Sequence, residues 1–274
     1  ASITGAPSGN GSVLCAAAGP SGLTFSGTGA SVSGDYSYVN PALVNSYAGG
    51  TIASYPSTSP NFAQHVHSGV AAPNFPYVDP TIYAQYATNP YVPGSSILAN
   101  VTMPPGTYTL SNVTIQGVLY LQSPCSVTIA GKSIIQGVIV SDCSATVGTL
   151  STNAISLSGQ VAVSPMNTLP GTLFPAGELA LSNAFILAPY SSVSMSGNFG
   201  TIGGCIIAGQ IAMSGNAAGT ITGSVINEGT TSLSITGNGG VSIVGNGPSA
   251  VPQGVNCGGD YVPVQGSYFD VPPQ

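Results

Sequence analysis

One short phrase recurs along the C-terminal half of the chain. Ser194-Met195-Ser196-Gly197-Asn198, Ala212-Met213-Ser214-Gly215-Asn216 and Ser234-Ile235-Thr236-Gly237-Asn238 are near-copies that begin 18 and 22 residues apart. Weaker copies lie upstream at Thr128-Ile129-Ala130-Gly131-Lys132 and Ser156-Leu157-Ser158-Gly159-Gln160. A second phrase alternates with the first: Ser133-Ile134-Ile135-Gln136-Gly137-Val138-Ile139-Val140, Thr201-Ile202-Gly203-Gly204-Cys205-Ile206-Ile207 and Thr220-Ile221-Thr222-Gly223-Ser224-Val225-Ile226. Short β-branched runs with Gly/Asn corners at a period of about 20 residues are the pattern of a solenoid.

Each phrase has room for a few residues of strand, with an apolar side chain turned in and Ser or Thr turned out. Gly and Asn follow because the chain must turn, and both tolerate positive φ. One coil cannot bury its own apolar row, but stacked coils can. The expected architecture is therefore all-β: a parallel β-solenoid over residues 97–247. It is preceded by a strand and Tyr/Pro-rich arm over 1–96 and followed by a packing tail over 248–274. At this period about seven or eight coils fit between 97 and 245. The inward ladder is expected to contain Ile129, Leu157, Met195, Met213 and Ile235. A β-sandwich is the competing architecture, but it gives no reason to repeat the same corner residues in register.

Composition narrows the function classes. Hydrophobic residues make up 43% of the chain, enough for a core, whereas charged residues make up only 3%. A typical soluble domain carries roughly 25% charged residues. With Lys132 as the sole Lys or Arg, the chain has little with which to neutralise phosphates or an anionic membrane surface. Nucleic acid is therefore not an expected partner, and no apolar run is long enough to span a bilayer.

The five cysteines, Cys15, Cys125, Cys143, Cys205 and Cys257, lack metal-ligand spacing. Cys125 and Cys143 lie 18 residues apart in matching contexts, Ser123-Pro124-Cys125-Ser126 and Ser141-Asp142-Cys143-Ser144. One coil of separation predicts a disulfide between them, the alternative being two buried thiols. Cys205 reads as a small core residue. Cys15 and Cys257 are left to pair with each other or across subunits.

Residues 1–34 resemble a degenerate coil. From Asp35 to about Pro93, tyrosine and proline become dense. Pro41–Tyr47 and Pro80–Ala87 are expected as short helices with Pro in the first turn. The remainder reads as extended loop whose aromatics cover the side of the solenoid. Pro165–Gly177 reads as a lateral loop between coils.

No catalytic constellation stands out. His65-Val66-His67 places two imidazoles on one strand face, a minimal metal-ligand pair, but no carboxylate or cysteine is close in sequence. Asp142, Glu178 and Glu228 are scattered, unlike the clustered acids of carboxylate-dependent hydrolases. The expectation is no enzyme, no cofactor and no metal. Asn100-Val101-Thr102 and Asn112-Val113-Thr114 match the N-glycosylation acceptor pattern, which makes Asn100 and Asn112 candidates for modification.

One family resemblance is carried by particular residues. Ala184-Phe185-Ile186-Leu187-Ala188-Pro189, Ser194–Asn198, Gly204-Cys205-Ile206-Ile207-Ala208-Gly209-Gln210-Ile211 and Ser214-Gly215-Asn216-Ala217 resemble the β-helical domain of bacterial pilus-associated surface proteins. These are planctomycete-type proteins linked to Tad or type IV pilin-like segments. Tyr86–Gly94, Pro104-Pro105-Gly106-Thr107, Val251-Pro252-Gln253-Gly254 and Gly266-Ser267-Tyr268 fit the same pattern. The resemblance covers residues 75–270 and implies an extracellular, cell-surface structural role.

Two functions are carried forward. One is a structural subunit that self-assembles into a surface filament, pilus-like fibre or coat. The other is a monomeric adhesin or an ice- or carbohydrate-binding β-helix, for which surface glycans are the expected partner.

Overall fold

The computed structural model describes residues 34–47, 50–71, 77–144, 149–179, 181 and 183–229. It also describes the short strands Ser2–Thr4, Ser8–Gly9, Val13–Cys15, Ser21–Ser26, Ala30–Val32, Ser234–Ile235, Val241–Val244 and Val255–Asn256. The chain is mostly β, with 55% strand and 8% helix. It divides into two compact units, one within residues 1–75 and one over 76–256.

In the N-terminal unit, three strand tracks alternate along the chain. The first joins Ser2–Thr4, Ser21–Ser26 and Val44–Ser46 in parallel. The second joins Ser8–Gly9, Ala30–Val32 and Gly50–Ile52. The third joins Val13–Cys15, Tyr36–Tyr38 and Val66–Ser68. The coil pattern expected only to residue 34 thus continues to residue 68. The tyrosines that read as a covering arm instead belong to a core of this unit, where Leu23, Val32, Tyr36, Leu43, Ile52 and Phe62 are buried together. Tyr36 stacks on Tyr38 at 5.4 Å, and Tyr47 meets Phe62 edge-on at 5.0 Å.

Pro41–Tyr47 does not form the expected helix. Asn45 Oδ1 accepts hydrogen bonds from the Leu23 N–H (2.8 Å) and the Tyr36 hydroxyl (2.8 Å), holding Val44–Ser46 as a strand beside Ser21–Ser26. Its approach is close enough to require glycine at position 22, where a Cβ would lie 2.0 Å from Asn45 Oδ1. Pro80–Tyr83 does turn, as a 3-10 helix capped by Asp79, whose Oδ1 accepts from the Thr81 N–H.

The second unit holds one sheet of 13 strands, curled into a half-barrel. All pairings within it are parallel. The repeated phrase forms a single track: Leu110, Ile129, Leu157, Met195 and Met213 sit side by side in register. All five are buried, with exposures from 0% to 4%, because one coil's row is covered only by the next. Ile235 continues the register beside Met213; its burial lies outside the described residues. Burying each such side chain stabilises the fold by about 1.5–3 kcal/mol.

This track contains six strands among the described residues, fewer than the length suggests. Steps of 18 and 22 residues separate Ser194, Ala212 and Ser234, but Thr128 to Ser156 takes 28 and Ser156 to Ser194 takes 38. The extra residues form two insertions. One follows Ser141 and closes at Asn153, whose Oδ1 accepts from the Cys125 N–H and whose Nδ2 donates to the Thr149 carbonyl. The other interrupts a track. Ile135 pairs with Val163, the chain departs at Pro165, and pairing resumes where Ile139 meets Ile186.

That second insertion explains why Val118–Leu121 and Val138–Ser141 are buried at every residue instead of alternating. Leu119, Leu121 and Ile139 face the inner core. Val118, Tyr120, Val138 and Val140 face the opposite side, where Tyr83, Ala87, Met166, Leu169, Phe174 and Leu181 cover them. A strand buried on both faces needs a continuous apolar run, and the sequence supplies one here.

Candidate functional site

The outer surface of the repeated track is a lattice of small polar groups. Thr107, Thr109 and Ser111 are exposed on the first strand. They align with Ser126, Thr128 and Ala130, then with Ala154, Ser156 and Ser158, then with Ser192, Ser194 and Ser196. Neighbouring hydroxyls touch along a row, with Ser194 Oγ 3.1 Å from Ser156 Oγ. Within this unit the Gly106–Ser111 strand pairs only with Cys125–Ala130, so its other edge has no strand partner among the described residues. A shallow groove of about 480 Å³ opens beside it, lined by Pro105, Gly106, Thr107, Pro124, Ser126, Ser151 and Thr152.

The two histidines converge on one carboxylate. His65 Nδ1 lies 2.8 Å from Asp35 Oδ1, and His67 Nε2 lies 3.1 Å from Asp35 Oδ2. Tyr55 stacks flat on the His65 ring at 5.1 Å. Burial pushes the Asp35 carboxyl upward, but hydrogen bonds from His65 and His67 outweigh it and hold the group below its ordinary value. Asp35 escapes a local motif search because it lies 30 residues before His65. Track register would have found it, since Val66 pairs with Tyr36 and so brings His65 beside Asp35. Among the described residues, no group of three or more His, Cys, Asp or Glu is placed to hold a metal ion.

The expected Cys125–Cys143 disulfide is absent, and both residues are buried thiols. The reason is register. Neighbouring strands here advance by 20 residues, as Thr114 beside Ile134 shows, whereas the cysteines are 18 apart. Asp142, preceding Cys143, bonds through its Oδ1 to the Ser123 N–H. Cys143 Sγ is directed instead to the Tyr190 carbonyl at 3.6 Å. Burial pushes the thiols of both Cys125 and Cys143 up, that of Cys125 to about 11, which suppresses the reactive thiolate. Cys205 is buried against the outer core, as expected. Any pairing of Cys15 with Cys257 lies outside the described residues.

Asn100 and Asn112 occupy left-handed corners, with φ of 51° and 57°. The Val after each is buried and the Thr after that is half-buried, so the strand alternation by itself writes Asn-Val-Thr. Asn112 is exposed, and its Oδ1 accepts from the Lys132 N–H at 3.0 Å. Asn100 is engaged at both ends: Oδ1 accepts from the Val118 N–H (2.9 Å) and Nδ2 donates to Glu178 Oε2 (3.0 Å). A glycan on that nitrogen would displace Glu178.

Glu178, isolated in sequence, is fully buried in the short helix Ala176–Leu179. Its Oε1 has no hydrogen-bond partner. Burial raises its carboxyl, partly offset by the Asn100 hydrogen bond. The other glutamate, Glu228, is pushed up to about 7 by burial beside the last strands of the sheet.

No protein-family model, curated protein or solved structure matches the chain. Among the described residues, no helix is long and apolar enough to cross a membrane.

Proposed function

We propose that the chain is an extracellular structural protein, a β-solenoid that stacks with its own copies into a surface filament, pilus-like fibre or coat. The observation that carries this reading is the in-register parallel stack ending on Gly106–Ser111, which is paired on one side only within its unit. A bare strand edge is a template for another chain, and soluble proteins blunt such edges with charge or proline. Here Thr107, Thr109 and Ser111 are uncharged, and the chain's single Lys, at position 132, lies on a corner away from that strand. Low charge also removes long-range repulsion between copies. The role is structural rather than catalytic.

Sedimentation velocity across a concentration series tests the reading. The wild type should form large, concentration-dependent species, and a T107K/T109K double variant should stay monomeric. A wild type that sediments as a 26.9 kDa monomer throughout refutes it.

The hydroxyl lattice favours a second reading, a monomeric module that binds ice or surface glycans. Rows of Thr and Ser spaced by the strand separation can order water or stack on sugar. In that case binding persists in the monomeric double variant.

A further inference from the structure

We propose that residues 165–179 act as a proton-controlled strap, held against the outer face of the sheet while Glu178 is protonated and loosened when it ionises. The strap is tied at few polar points. Gln136 Nε2 donates to Thr168 Oγ1 at 2.7 Å, and Asn100 Nδ2 donates to Glu178 Oε2 at 3.0 Å. The second tie is buried and built with care. Asn100 is a non-glycine residue at positive φ, seated at a register shift in the Ile97–Met103 strand. Gly117, at φ +72°, leaves room that no other residue would: a Cβ there would lie 2.0 Å from Asn100 Oδ1 and 2.3 Å from Glu178 Oε1.

This pocket fits a neutral carboxyl better than an ionised one. Only Oε2 has a donor, while the equally buried Oε1 has none. A buried carboxylate requires donors at both oxygens or a cation. The titratable groups on the elements packed around the strap are Tyr83 and Tyr86 below it, Tyr120 on the sheet, and Cys205. Burial raises Tyr83, and it raises Tyr120 to about 12, with Asp142 and Asp79 adding to the latter. None of these groups supplies positive charge. The raised Glu178 carboxyl agrees with this geometry.

The sign follows from linkage. A carboxyl raised by folding stabilises the closed strap fully below its ordinary value, and the stabilisation is lost as pH rises through the raised one. Each pH unit within that window multiplies the opening equilibrium about tenfold. Opening would expose Val118, Tyr120, Val138, Val140, Leu187 and Ile207, a continuous apolar patch on the flank of the sheet. Such a patch is a surface for association.

Hydrogen–deuterium exchange of the full chain at pH 5 and pH 8, corrected for intrinsic exchange, reads the strap directly. Peptides covering 166–179 should lose protection several-fold at pH 8 in the wild type and stay protected in Glu178→Gln. Equal pH dependence in the two proteins overturns the proposal. An independent reading uses the wild type alone. The chain has two glutamates, Glu178 and Glu228, so selective ¹³C labelling gives two carboxyl resonances, separated by comparison with Glu228→Gln. Glu178 should titrate above the ordinary glutamate range, in step with amide shifts in 166–179. Titration in the ordinary range, or without those shifts, overturns the proposal even if Glu178→Gln fails to fold.

Discussion

At the scale of single residues, the fold rests on two kinds of position that tolerate no change. The first is the inner ladder. Met195 is fully buried between Leu157 and Met213, and a stacked row cannot collapse around a void without shifting both neighbouring coils. Met195→Ala should therefore cost about 2–5 kcal/mol, measured by denaturant unfolding. A loss under 1 kcal/mol would mean that the row is not packed as described. The second is the close approach of backbones at bends. A Cβ on Gly137 would lie 2.0 Å from the Gly117 carbonyl oxygen, which is main chain and cannot rotate away. Gly137→Ala should destabilise by about 1–3 kcal/mol, in contrast to Gly69→Ala or Gly94→Ala, whose side chains would meet open space.

At the scale of elements, the legible and the illegible parts of the sequence separate by physical cause. The repeated track was legible because burial and turning impose the same demand at every coil, and the demand shows as Ile/Leu/Met followed by Gly. The lateral loop at 165–177 was legible from its prolines. The coils of residues 35–68 were not, because their core uses tyrosine, whose hydroxyl finds Asn45 and whose ring stacks on other rings. Composition there reads as loop, while pairing makes strand. The disulfide was misread because the cysteine spacing was matched to the variable coil length and not to the local step of 20. Glu178 was illegible because its partner, Asn100, is 78 residues away.

The histidine clamp yields an element-scale prediction. Asp35 is held below its ordinary value, so its contribution to stability is present above that value and lost as pH falls through the lowered one. Near-ultraviolet circular dichroism, dominated in this unit by Tyr36, Tyr38, Tyr47 and Tyr55, should show an acid transition below about pH 4. In Asp35→Asn that transition should flatten. An unchanged transition in the variant would show that the clamp does not couple to packing of the aromatic core.

At the scale of the molecule, the account joins three properties: tracks that advance by about one coil per repeat, an uncharged strand edge, and a surface of small hydroxyl side chains. Together they describe a chain that can extend its own sheet with another copy. The strap is a separate device on the flank and does not depend on that extension. Glu228 adds a pH dependence at the last strands. Its carboxyl is pushed to about 7 by burial, so stabilisation present at mildly acid pH is lost as pH rises through neutrality. Glu228→Gln should remove that slope in thermal unfolding between pH 5 and 8, and a slope identical to wild type would contradict it. The central claim, that copies stack along the solenoid axis, is tested most directly by electron cryo-microscopy of the concentrated native protein. The account predicts filaments whose power spectrum carries a meridional reflection near 4.8 Å, the strand spacing running along the fibre. Dispersed 26.9 kDa particles, or filaments without that axial spacing, would contradict it.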